Sequence, residues 1–110
     1  MEARFEISWT ATGDRQFQLK TDGGEVILQS ESYKTFSGCT NGIASCKDHA
    51  PYERFYVRCK RGTSEGFHLR AANNRVLGRG PCRRAAVLTE ADIVTIKKFA
   101  PSAEIQDKTR

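Results

Sequence analysis

Phe17-Gln18-Leu19-Lys20-Thr21-Asp22-Gly23-Gly24-Glu25-Val26-Ile27-Leu28 reads as two strands closed by a glycine pair, and 50 residues later Phe67-His68-Leu69-Arg70-Ala71-Ala72-Asn73-Asn74-Arg75-Val76-Leu77 takes the same form. Phe17 and Leu19 alternate with glutamines and a lysine, the period of a half-buried strand. Gly23-Gly24 can adopt positive φ without a Cβ clash and so closes a tight hairpin. Asn73-Asn74 stands in its place, since asparagine tolerates left-handed geometry better than other residues that carry a side chain.

The same spacing relates Arg4-Phe5 to Arg54-Phe55, Ile43 to Ile93, Lys47 to Lys97 and Ala50-Pro51 to Ala100-Pro101. The matches fall mostly on apolar or turn positions, as expected of a duplicated structural unit. Ile105, standing where Phe5 and Phe55 stand, begins a faint third copy. In the first unit Phe5, Ile7 and Trp9 alternate with Glu6 and Ser8, giving a strand ahead of the hairpin. In the second, the same spacing turns Phe55, Val57 and Cys59 inward and Tyr56, Arg58 and Lys60 outward, with a polar turn over residues 61 to 66.

Beyond each hairpin the period changes. Phe36, Cys39, Ile43, Cys46 and Ala50 are spaced three, four, three and four apart, one apolar stripe on a helix. Thr35 is its cap, and Pro51, which disfavours helical geometry at the residue before it, is its stop. Gly38 and Gly42 each cost about 1 kcal/mol against alanine in a helix, so close packing against the sheet is the reason expected for them. The second stripe is Ala86, Thr89, Ile93, Ile96 and Ala100, flanked by Leu88 and Phe99. The repeat starts this helix near Arg84, in preference to the local capping box Thr89-Glu90-Ala91-Asp92. The expected fold is α+β, one domain over 1–110 made of two internal repeats (about 3–51 and 53–101) with a closing strand at 103–108. Tandem units of three strands, helix and strand form one antiparallel sheet with two helices packed on one face. Both units lie in one chain, so a monomer is expected, although an unpaired edge strand would permit a dimer.

Composition narrows the function classes. There is no apolar run of 18 residues to span a membrane. The opening Met1-Glu2-Ala3-Arg4-Phe5 lacks the basic-then-apolar pattern of a secretory signal. With four cysteines and no such signal, reduced thiols and a cytoplasmic location are expected. The net charge of +5 is one-sided: residues 1 to 50 carry five Lys/Arg against seven Asp/Glu, whereas residues 51 to 110 carry thirteen against six. Such a balance points to an anionic partner, nucleic acid or acidic protein, against the alternative of simple solvated surface.

Catalytic chemistry finds no foothold in the residue pattern. Cys39 and Cys46 fall on the apolar stripe and Cys59 on the inward parity, which reads as core packing. Zinc needs four converging ligands, and Cys39, Cys46 and His49 lack the spacing. Cys82, beside Arg83 and Arg84, is the one candidate reactive thiol. His49 ends a helix, where the dipole favours its protonated form. Gly78-Arg79-Gly80 is not a phosphate loop, because no lysine-serine/threonine follows it. No cofactor or metal is called for.

Asn41-Gly42-Ile43-Ala44-Ser45-Cys46-Lys47, ending in Ala50-Pro51, together with Phe17–Leu28, Ser30-Glu31-Ser32-Tyr33 and Phe67–Asn73, resembles the YegP-like family of small bacterial proteins over about residues 4 to 108. The resemblance implies the tandem fold and no assigned activity. The second half departs from the family pattern: Ala91-Asp92-Ile93 replaces asparagine-glycine-isoleucine, and Gly80-Pro81-Cys82-Arg83-Arg84 replaces an acidic, tyrosine and serine segment. The functional expectation is a small non-enzymatic binding module. Its candidate residues are Tyr56, Arg58 and Lys60 on one strand, His68 and Arg70 on the next, Arg75 and Arg79 on a third, and Arg83 and Arg84 beyond. The alternatives are nucleic-acid binding on the open sheet face and thiol chemistry at Cys82.

Overall fold

β1 (Ala3–Trp9) and β2 (Arg15–Thr21) pair antiparallel with Phe5 opposite Leu19 and Ile7 opposite Phe17, and these four side chains are wholly buried. Their alternation with polar residues makes one face of the sheet core and leaves the other to solvent. The computed structural model describes residues 3–110; Met1 and Glu2, and with them the start of the expected signal-free N-terminus, lie outside it. β3 (Val26–Gln29) completes the first three strands and α1 (Phe36–His49) follows. A short 3-10 turn (Glu53–Phe55) leads into β4 (Tyr56–Arg61), β5 (Ser64–Arg70), β6 (Val76–Arg79) and α2 (Ala86–Phe99). A second 3-10 turn (Ala100–Ser102) leads into β7 (Glu104–Asp107). The seven strands form one sheet in the order β4-β5-β6-β3-β2-β1-β7. Both helices cover the same face, where one core cluster runs from Phe5 and Phe17 through Ile43 and Cys46 to Phe67, Ile93 and Ile96.

The sheet is mixed, because β7 runs parallel to β1 with Ile105 beside Phe5. α2 begins at Ala86 with Ala85 as an uncapped boundary, so the later start at the Thr89 box is not used. Thr89 is buried inside the helix and its hydroxyl finds no partner. Ala86 and Leu88 are exposed, and the buried stripe starts at Thr89. Thr35 caps α1 as expected, its hydroxyl accepting from Gly38 N–H at 2.9 Å. In the hairpins, Gly24 (φ 85°) and Asn74 (φ 68°) take the left-handed positions. Among the described residues no helix is long and apolar enough to cross a membrane.

The 50-residue spacing fails in one strand. Leu19 faces Phe5, but Leu69 faces Tyr56, so the counterpart of Phe5 lies 51 residues on rather than at Phe55. Trp9 pairs with Arg15 across residues 10–14, whereas Lys60 pairs with Glu65 across 61–64, a hairpin one residue shorter. A one-residue slip moves every side chain of a strand to the opposite face. Tyr56 is therefore buried, its hydroxyl donating to Ala50 O at 2.7 Å, and Arg58 and Lys60 share its helix-side parity. Val57 and Cys59 turn outward, and Cys59 is exposed, against the expectation for both strand faces. The expected turn over 61–66 shrinks to two residues, with Gly62 at φ 59°.

Gly42 is explained by its neighbours. A Cβ there would lie 2.4 Å from Tyr33 Oη and 2.7 Å from its Cζ, with Phe17 Cε2 of the sheet at 3.2 Å. The Tyr33 ring, from the segment before α1, stacks on Phe17 at 6.2 Å between centroids. Gly42→Ala is expected to destabilise the fold by about 1–3 kcal/mol through overpacking, outweighing the roughly 1 kcal/mol that alanine gains in an open helix. Urea unfolding measures it, and an unchanged or raised midpoint contradicts the packing role.

Candidate functional site

The solvent face of the sheet is built from the other parity of each strand. Its first half carries Arg4, Glu6, Gln18, Lys20 and Gln29, and there the charges are satisfied. Glu6 accepts from Arg4 at 2.7 Å and from Lys20 at 3.0 Å, and chiefly the Arg4 hydrogen bond holds its carboxyl below the ordinary range. Gln18 donates to Gln29 at 3.1 Å.

The second half of that face carries Arg61 from β4, His68 and Arg70 from β5, and Arg79 from β6, where Arg79 stands opposite both His68 and Gln29. Arg70 Nε donates to His68 Nε2 at 2.8 Å. Burial first, and then the Arg70 and Arg79 charges, keep the imidazole below its ordinary value of 6.5. Among the described residues, the ion pair this group makes is an exposed one, Arg79 to Glu31 at 3.5 Å.

The other expected binding residues are elsewhere. Arg58 lies on the helix side in an ion-pair network, donating to Glu90 at 2.6 and 2.7 Å and to both oxygens of Glu53. Glu53 also receives Lys97 at 2.5 Å, and these partners, Arg58 first, pull its carboxyl down to about 2. Lys60 lies 3.8 Å from Glu65 on the same side. Arg75 sits over the Tyr33 ring at 5.7 Å. Arg83 forks onto Asp92 at 2.8 and 3.0 Å and also reaches Glu25. Arg84 is exposed ahead of α2. Of the nine residues expected to share a surface, three do: His68, Arg70 and Arg79. Arg61 joins them and was missed, because the slip in β4 exchanges the faces.

Cys39 and Cys46 are buried, and burial pushes their thiols up to about 11 and about 12. Cys59 and Cys82 are exposed and line one groove of roughly 320 Å³ with Arg61, Gly66, His68 and Arg79. Arg83, expected to act on Cys82, is committed to Asp92 on the helix side. His49 is a structural bridge: Ala72 N–H donates to its Nε2 at 3.1 Å, which leaves Nδ1–H to donate to Ser45 O at 2.7 Å. That pattern makes Nε2 the acceptor and Nδ1 the donor of the bridge.

Residues 11–56 match the family model described as a domain of unknown function, DUF1508. A UPF0339 protein encoded in the ptx operon 5' region of Stutzerimonas stutzeri is 36% identical, covering 96% of both chains. The UPF0339 protein YegP of Escherichia coli K12 is 33% identical over 99% of this chain and 100% of its own. This chain belongs to the UPF0339 family. Two solution NMR structures agree with its fold. A UPF0339 protein from Shewanella oneidensis superposes with a TM-score of 0.91 at 30% identity, covering 97% of this chain and 92% of that one. YegP of Escherichia coli, a protein of unknown function, gives 0.91 at 30% identity over 98% and 94%. The UPF0339 relationship secures the architecture; the candidate site rests on the side chains of this chain alone.

Proposed function

We propose that this UPF0339 chain is a monomeric, non-enzymatic binding module, one domain of two internal repeats, that receives an acidic protein segment on the solvent face of its second half. The observation that supports this is the group His68, Arg70 and Arg79, with Arg61 beside it. Three cationic or protonatable side chains stand on adjacent strands, and among the described residues their ion pairing is limited to the exposed contact of Arg79 with Glu31. Each such cation raises the free energy of the others, and an incoming carboxylate relieves all of them at once. Nucleic acid is the alternative reading. It is the weaker one because Tyr56, the expected stacking platform, lies in the core, and single-strand binders stack bases on aromatic side chains. Thiol chemistry at Cys82 loses the support expected from Arg83.

Amide chemical-shift mapping at low salt with a glutamate-rich peptide, and in parallel with a short single-stranded oligonucleotide, tests the reading. The peptide is expected to move the amides around His68, Arg70 and Arg79 and to weaken as salt rises. Arg70→Ala and Arg79→Ala are each expected to weaken it. A response to the oligonucleotide alone transfers the site to nucleic acid, and no response to either removes the site. His68 gives an internal readout. Its titration midpoint lies below 6.5 in the free protein, and peptide binding or Arg70→Ala raises it. Since the folded form resists protonation of His68, its contribution to stability is complete above 6.5 and is lost as pH falls through the depressed midpoint.

A further inference from the structure

Cys59 and Cys82 flank a residue that has no side chain. Cys59 pairs with Gly66 from β4, and the bridge between Glu65 and Arg83 brings Cys82 alongside the same Gly66 from the other edge of β5. Arg83 and Glu65 turn to the helix side, so Cys82, one residue back, turns to the solvent face that Cys59 occupies. Both thiols are exposed and both line the same groove. Cys59 Sγ lies 3.6 Å from where a Gly66 Cβ would stand, so the thiol leans over the bare backbone between the two.

The geometry selects what the pair can hold. Two strand spacings separate the cysteine Cα atoms by roughly 10 Å, whereas a disulfide needs them within about 7 Å. The cysteines therefore stay as two thiols facing a gap. Among the described residues no three His, Cys, Asp or Glu side chains are grouped to hold a metal, so a four-ligand zinc site is not built here. Two thiolates alone suit a soft ion that is content with two ligands, and Cu(I) is the soft monovalent case. Charge favours it further. Two thiolates around one Cu(I) carry a net charge of −1, and the groove is lined by Arg61 and Arg79 against the single carboxylate of Glu65.

We propose that Cys59 and Cys82 form a bis-thiolate site for Cu(I). Each thiol gives up its proton to solvent, and two S–Cu bonds form with no change in oxidation state. The site goes beyond the acidic-partner reading: it needs the sulfurs, which that reading does not, and shares with it only the neighbouring cations. The test titrates the reduced full chain, without oxygen, against a coloured Cu(I) chelator. One equivalent per chain is expected to leave the chelator, with the protein still monomeric by sedimentation. Cys59→Ala and Cys82→Ala are each expected to abolish the transfer. Gly66→Leu, which fills the gap while keeping both sulfurs, is expected to abolish it too, with the amide spectrum confirming the fold. No transfer, transfer that survives either cysteine change, or a copper-bridged dimer overturns the proposal.

Discussion

Arg83→Ala is expected to lower the unfolding free energy by about 3 kcal/mol, and the paired exchange Arg83→Tyr with Asp92→Gly to cost less than its two single changes together. Asp92 is only 8% exposed, and Arg83 supplies two parallel hydrogen bonds to it, so alanine at 83 strands a nearly buried carboxylate. The partial exposure of Arg83 keeps the loss at the lower end of the range for broken buried pairs. Fifty residues earlier the same two positions hold Tyr33 and Gly42, where the tyrosine hydroxyl occupies the space a Cβ would take. A ring packed on a bare helix backbone and a guanidinium forked onto a helix carboxylate are two solutions of one contact. They do not mix: tyrosine at 83 meets the Asp92 side chain, and glycine at 92 leaves Arg83 with Glu25 alone. A double-mutant cycle in urea should therefore show a coupling of about 1–3 kcal/mol. Strict additivity would refute the equivalence of the two contacts.

That contact also marks where reading the residues stops. The departure of residues 80–84 and 91–93 from the family pattern was visible in the sequence, but not that Arg83 and Asp92 answer each other. The turns at Gly23-Gly24 and Asn73-Asn74, the cap at Thr35 and the α1 stripe from Cys39 to Ala50 were legible because each depends on residues within a few positions of one another, whereas Phe36, expected to open that stripe, is exposed. The face of β4 depends on the length of the hairpin that follows it. There the coincidence of Arg54-Phe55 with Arg4-Phe5 fixed the wrong parity, although the missing turn residue could have been counted. His68 and Arg70 were placed correctly by alternation, since β5 keeps the register of β2. Arg58 and Lys60 exchanged sides with Cys59 and Arg61, which took two cations off the candidate face and put one cation and a thiol onto it. The parallel pairing of β7 with β1 was not legible either, because alternation says which residues share a face and nothing about strand direction.

Leu28→Ala is expected to cost about 3–4 kcal/mol, and its loss to be partly recovered by adding Gly78→Ala. β3 and β6 meet at the centre of the sheet, where Gln29 stands opposite Arg79. Leu28 is wholly buried there, and its counterpart 50 residues on is Gly78. A Cβ on Gly78 would lie 2.8 Å from Leu28 Cγ and 3.1 Å from both its methyl carbons. The junction of the two halves thus has room for one large side chain, and the first half supplies it. Gly78→Ala alone should destabilise by about 1–3 kcal/mol through overpacking, since the leucine is held on all sides and cannot withdraw as an exposed side chain would. With Leu28 already cut back to alanine, the same Cβ enters the cavity instead of a neighbour, and its sign reverses. Denaturant unfolding of the four proteins of the cycle measures this directly. If Gly78→Ala destabilises equally in both backgrounds, Leu28 does not fill the space over Gly78, and the two halves do not share a core at that point.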